Sequence, residues 1–294
     1  MGAVVALFLA GCEQRAAVEL VGDAARSADL EFVGAMSNND SLFRGEDLDS
    51  AGIIHSVPEK VFAELVGARS EFDGPAEHHV ASLARAVFFN RKDSIRLEDF
   101  TGPRTIDAGM VLVDSLPLRV VMNRLIVPST HIDTLLGVRY LLLNLDGVGG
   151  RGFEFEGNHL YRWNVAGSSL FPALIVSILS PPRLHVIAPT PSDIIPLSRD
   201  LHVRWVGGGE SVKLVISVGE WGMQPKPIFR FRIRVNDGSV VIPSRILQLL
   251  PQDQSRFLFT LASEASNIIH VDGYQDDILV QAITSHSLLL QARR

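Results

Sequence analysis

The 294-residue chain predicts a mainly β protein built from two β-rich modules, the second an immunoglobulin-like β-sandwich, with a short helical N-terminal region. Three observations carry this. From about residue 82 onward, apolar side chains recur with a period of two, the signature of strands with one buried face. The alternating runs are short and separated by clusters of Gly, Pro, Asn and Asp, which is turn chemistry. No long amphipathic stretch alternates with them, which argues against a doubly wound α/β arrangement. At 47% hydrophobic and 20% charged residues, the composition excludes a disordered, collagen-like or coiled-coil chain.

Met1 to Gly11 carries no charged side chain, and Ala3 to Ala10 is an apolar run followed by Gly11-Cys12, with charge starting at Glu13. A run this short cannot span a bilayer, which takes about 20 residues, but it has the length of a signal-peptide apolar segment. Leu9-Ala10-Gly11-Cys12 resembles the lipobox of bacterial lipoproteins, although the usual basic segment ahead of it is missing. The resemblance implies a lipoprotein signal peptide over 1–12 and lipid attachment at Cys12. Residues 13–52 read as a tether and loop region. Ala17, Leu20, Val21, Ala24 and Ala28 fall at helical spacing there, and 37–52 is polar and turn-rich. Ser56-Val57-Pro58-Glu59 has capping-box spacing, and Val61, Phe62, Leu65 and Val66 share a helical face, so a short helix is expected over 58–66.

Strands are expected at 84–90, 108–113, 118–126, 138–145, 152–156, 159–165 and 173–179. In Leu160-Tyr161-Arg162-Trp163-Asn164-Val165 the alternation is strict, and Gly157-Asn158 offers a hairpin turn to Phe153-Glu154-Phe155-Glu156. Residues 163–182 are uncharged, yet Asn164, Gly167, Pro172 and Pro181-Pro182 make them a buried strand between turns rather than a membrane span. Prolines concentrate over 180–196, which stiffens a connection and places a boundary between a β-rich domain with a short helix at 53–182 and a second module at 186–294.

The second module patterns more cleanly. Leu201, Val203 and Trp205 alternate with His202 and Arg204, and Val212, Leu214, Ile216 and Val218 share a face. Phe229, Phe231, Ile233 and Val235 alternate with Arg230, Arg232 and Arg234, Asn236-Asp237-Gly238 turns, and Val240 to Ile242 begins another strand. Residues 243–250 read as one or two helical turns, and strands at 256–262, 267–271, 277–284 and 286–291 complete the set. Seven or eight strands in about 105 residues is the size of an immunoglobulin-like β-sandwich.

Tyr161-Arg162-Trp163-Asn164-Val165-Ala166-Gly167 with Phe171-Pro172, Leu197 to Trp205, Val240-Val241-Ile242-Pro243-Ser244 and Leu249-Leu250-Pro251 carry a further resemblance. The stretch from about 150 to 290 is similar to a group of uncharacterised secreted bacterial lipoproteins with a β-rich module, a proline junction and an immunoglobulin- or fibronectin-like sandwich. The cysteine pairs frequent in that group are missing. The resemblance implies a fold and an extracytoplasmic location, and no activity.

Little in the chain points to catalysis. One cysteine excludes an intramolecular disulfide and any multi-cysteine metal site. A formal charge of −6 argues against nucleic acid as a partner. The glycine groups at 147–152 and 207–209 do not open helices, so phosphate cradling is not expected. His78-His79 diverge on any regular element, and Asp272, Asp276 and Asp277 lack the order of a calcium loop. Glu154 and Glu156 read as the wet face of a strand whose other face carries Phe153 and Phe155.

Arg230, Arg232 and Arg234 are the sharpest feature. Alternation sets three guanidinium groups on one strand face at roughly 7 Å intervals, a candidate strip for an anionic polymer or partner. Trp221, in a loop without periodicity, is a candidate binding anchor. The expectation is a non-enzymatic lipoprotein of the cell envelope, anchored to the membrane by lipid, without cofactor or metal. Its role is expected to be structural or in binding an envelope protein. A carbohydrate- or anionic-polymer-binding envelope protein, or an enzyme on a β scaffold, are the alternatives.

Overall fold

A computed structural model describes residues 30–35, 61–97, 100–127, 132–149, 152–210, 212–219, 225–233, 237–272 and 277–294. The described chain is mainly β, in several sheets, with a single helical turn. In chain order the first strands are β1 (Leu30–Ala35), β2 (Val61–Asp73), β3 (His78–Leu97), β4 (Phe100–Thr105), β5 (Val111–Val113), β6 (Leu116–Pro117), β7 (Arg119–Val127), β8 (Ile132–Leu145) and β9 (Val148–Gly149). Then come β10 (Leu160–Val165), β11 (Leu174–Leu179), β12 (His185–Ala188), β13 (Ile194–Pro196), β14 (Leu201–Val206), β15 (Val212–Val218), β16 (Lys226–Ile233) and β17 (Ser239–Ile242). One turn of helix, α1 (Ser244–Leu247), precedes the two closing strands, β18 (Arg256–His270) and β19 (Asp277–Arg293).

One twelve-stranded sheet runs the length of the molecule in the order β1-β16-β15-β18-β19-β2-β3-β8-β7, with β13, β4 and β9 attached at its margins. Its pairings are antiparallel except at β19–β2 and β13–β19. Two smaller sheets pack on one face of it. The four-stranded sheet β11-β10-β5-β6 covers one half, and the three-stranded sheet β12-β14-β17 covers the other. Between each small sheet and the large one lies an apolar core. The first core gathers Leu65, Phe88, Tyr140, Phe155, Trp163, Ile178 and Val280. The second gathers Val186, Trp205, Leu214, Phe231, Ile242, Ile246, Phe259 and Leu290.

The strands β18 and β19 belong to both cores. At about 3.3 Å per residue, 15 and 17 residues reach roughly 50–55 Å. Four separate strands were expected in their place. The backbone ladder is unbroken from Arg256↔Gln291 to His270↔Asp277, because the polar residues that interrupt the apolar pattern do not interrupt the hydrogen bonding.

Two other expectations are corrected. Residues 61–66 are strand, not the helix expected over 58–66, whose earlier residues lie outside those described. Val61 to Val66 is buried on both sides of the sheet, Glu64 included, so no polar–apolar alternation marks the strand, and the spacing of Val61, Phe62, Leu65 and Val66 passes for a helical face. Residues 153–156 form no strand, although Phe153 and Phe155 are buried and Glu154 and Glu156 exposed as alternation required. Their backbone groups bond to side chains instead: Phe155 N–H to Ser82 Oγ at 3.0 Å, Glu156 N–H to Tyr161 Oη at 2.5 Å, and Phe153 C=O from Asn144 Nδ2 at 2.7 Å.

Candidate functional site

The large sheet is apolar over each core and polar between them. Along β19 the side chains facing the cores run Ile278, Val280, Ala282, then Thr284 and His286, then Leu288 and Leu290. Thr284 and His286 are only 1% and 0% exposed. On β18 Ser263 holds the same level beyond Phe257, Phe259 and Leu261. On β2, Ala63, Leu65 and Gly67 give way to Arg69, Glu71 and Asp73. Buried polar groups need partners, and the connection from the first module to the second supplies them.

That connection crosses the sheet at this level. Pro182 C=O accepts from Thr284 Oγ1 at 3.0 Å and from Gly208 N–H at 3.2 Å. Val186 N–H donates to His286 Nδ1 at 2.8 Å, and Gly209 N–H, from the loop between β14 and β15, donates to Ser263 Oγ at 2.7 Å. Pro181 and Pro182 have no N–H, so this strap brings carbonyls to the seam with few donors left to satisfy.

Glu71, 1% exposed, sits at the centre. Its Oε1 accepts from Arg69 Nε at 2.9 Å and from Arg183 Nε on the strap. Its Oε2 lies 3.6 Å from His185 Nδ1, and neither atom has a hydrogen-bond partner among the described residues. Burial raises the Glu71 pKa, but the hydrogen bonds and charges of Arg183 and Arg69 outweigh it and hold the carboxyl below its ordinary range. The His185 ring stacks on His286, with centroids 4.6 Å apart and planes 12° from parallel. Because Val186 N–H points at Nδ1, His286 carries its proton on Nε2 and donates it to Asp73 Oδ2 at 2.9 Å. Asp73 Oδ1 pairs with His78 Nδ1 at 2.6 Å. Burial lowers the His286 pKa, ahead of the opposing pull of Asp73. Asp73 is itself lowered, since His78 and His286 together outweigh its desolvation.

Glu71, His185 and His286 place ligand atoms within 4.8 Å of one another, so the cluster can be tested as a metal centre. The geometry opposes it. An imidazole lone pair lies in the ring plane, and two stacked, nearly parallel rings cannot both aim at one ion. Both nitrogens of His286 are already engaged. The one carboxylate is balanced by two guanidinium groups, which repel a divalent cation. What the arrangement does is fasten the strap to the sheet.

The sequence-predicted residues lie elsewhere. Arg230 is half-buried and Arg232 exposed, on the face of β16 opposite the buried Phe229, Phe231 and Ile233. Cys12, Trp221 and Arg234 lie outside the described residues. Trp163 and Trp205 are core side chains. His78 and His79 diverge as expected, to Asp73 and to Asp146. Glu71, Arg183, His185 and His286 were not singled out. Only His286, a titratable group amid the apolar positions of β19, gave a local signal.

No protein-family model matches the chain, and no curated protein does. Among solved structures it is similar to the yeast delta-COP-I mu-homology domain, at 9% identity and a TM-score of 0.24 over 80% of this chain and 100% of that one. The same domain complexed with a Dsl1 WxWxV peptide gives 10% identity and a TM-score of 0.24 over the same shares. At that TM-score the likeness carries no argument about this chain.

Proposed function

We propose that the chain is a non-enzymatic interaction protein of a cell envelope, held to the membrane by lipid on Cys12. Residues 53–182 and 186–294 are its two modules, the second of them immunoglobulin-like. One observation supports this above others: the titratable cluster around Glu71 is largely taken up in bonds that tie the strap to the sheet, with His286 bonded at both nitrogens and Glu71 Oε1 held by two arginines. A site built for turnover leaves such groups facing a substrate. The second core draws its buried members, Leu30 apart, from residues 184–290, while β19 also gives Ile278, Val280 and Ala282 to the first core. The test is fractionation of a bacterial host expressing the chain from Met1. The wild type is expected with the membranes at acylated mass and the Cys12→Ser variant in the soluble fraction. A Cys12→Ser variant that stays with membranes and keeps the wild-type mass overturns the anchor.

A second reading, binding of an anionic envelope polymer, is favoured by the shared outer face of Arg230 and Arg232 on β16. It requires affinity that falls with added salt and is lost when Arg230, Arg232 and Arg234 are all replaced by serine.

A further inference from the structure

The strap is held to the sheet by Pro182 C=O on Thr284, by Arg183 on Glu71 and by Val186 N–H on His286 Nδ1, and the last of these acceptors cannot work once it is charged. We infer that Val186 N–H and His286 Nδ1 form a pH-sensitive latch, which helps fasten the connection between the two modules at neutral pH and loosens it around Val186 in mild acid.

The geometry carries the argument. His286 has two ring nitrogens and two partners of opposite kind, a donor at Nδ1 and a carboxylate at Nε2. The neutral Nε2–H tautomer satisfies both. Protonation places a second N–H at Nδ1, facing Val186 N–H, so the hydrogen bond becomes a donor–donor clash. The ring is completely buried and flanked by Leu261 across the β18 ladder, so no water replaces the lost acceptor without the strap moving.

The charged neighbours are few. From β2 come Asp73, Glu71 and, behind Glu71, Arg69. From the strap come Arg183 and the stacked His185. From the start of β3 comes His78, on the far oxygen of Asp73. With His286 neutral, the carboxylates Asp73 and Glu71 balance the guanidiniums of Arg69 and Arg183. A proton on His286 adds an uncompensated charge beside His185.

The sign follows from the direction of the shift. The folded pKa of His286 lies below its ordinary value of 6.5, so the folded state takes up a proton less readily than the unfolded chain. The contribution of His286 to stability is complete above pH 6.5 and is lost as the pH falls from there through the folded pKa. The strap gives way first, because it holds the acceptor's other partner.

Hydrogen exchange by mass spectrometry on peptides spanning 181–190 tests this, with rates corrected for intrinsic pH dependence, in the full chain at pH 7.5 and 5.5. The expected result is corrected exchange about tenfold faster at pH 5.5, with no change in peptides covering 256–262. The midpoint should coincide with protonation of His286 Nδ1 read by 15N NMR of labelled histidine. His286→Gln should exchange at the same corrected rate at both pH values. Flat corrected exchange in the wild type overturns the latch, and so does acceleration that survives in His286→Gln. If that variant does not fold, the wild-type midpoints decide: a 15N midpoint that differs from the exchange midpoint overturns it.

Discussion

Replacing Gly67 by alanine puts one methyl group where the first core has no room. An ideal Cβ at Gly67 lies 2.3 Å from Phe155 Cε2 and 3.1 Å from Cδ2 and Cζ. Carbon atoms rest at about 3.5–4.0 Å, so the ring must withdraw by more than about 1 Å. It is not free to do so. Phe155 stacks on Tyr161 at 4.2 Å with planes 9° apart, and its own N–H is held by Ser82 Oγ at 3.0 Å. Inserting a methyl group into a packed core costs about 1–3 kcal/mol. Removing a glycine from a strand returns roughly 0.5–1 kcal/mol, so a net loss of about 1–2 kcal/mol is expected. Urea unfolding followed by Trp163 and Trp205 fluorescence measures it, with an unchanged slope and a lower midpoint. Phe155→Leu withdraws the offending atoms, so the double variant should lose less than the two single losses combined, by about 0.5 kcal/mol or more. A neutral or stabilising Gly67→Ala, or additive losses in the double variant, would refute the reasoning.

Two further outcomes follow from the burial pattern. Phe231→Ala, a core position opposite Leu214 in the ladder, should cost about 3–5 kcal/mol, whereas Arg232→Ser on the outer face should stay within about 0.5 kcal/mol; the urea midpoints of the two variants check this, and similar losses would show the faces of β16 to be assigned wrongly. Glu71→Ala strands Arg69 and Arg183 beside the seam and should cost about 3 kcal/mol, the low end for a broken buried pair because Arg183 is half exposed; a midpoint shift under about 1 kcal/mol would place the fastening elsewhere.

Much of the strand inventory was legible, for a physical reason. Where one face of a strand meets a core and the other meets water, as at Leu160–Val165 or Leu201–Val206, burial alternates residue by residue and so does polarity. Legibility failed where that condition failed. Val61 to Val66 is buried on both faces, so the alternation that marks a strand is absent and its apolar spacing passes for a helical face. The mostly polar residues 263–266 and Ser285 broke the apolar pattern of β18 and β19 and suggested chain breaks, where each strand runs on unbroken from one core to the next. Phe153 and Phe155 alternated correctly with no ladder beneath them, because alternation reports burial and not the partner of the backbone. The seam was illegible for a different reason. Glu71, His185 and His286 stand about 100 residues or more apart, and no spacing rule joins them until the parallel pairing of β19 with β2 sets Glu71 beside His286.

That parallel pairing has a consequence for how the chain is made. Ser70 on β2 and Ser285 on β19 touch across a separation of 215 residues. At about 5–20 residues per second, a ribosome needs roughly 10–40 s to deliver the second after the first. Throughout that interval β2 and β3 can pair as a local hairpin, but the other edge of β2 has no neighbour, and an unpaired edge invites association with other chains. The first module is therefore started early and finished late. Its slowest step is set by translation and by the search for a distant strand, not by its own local preferences.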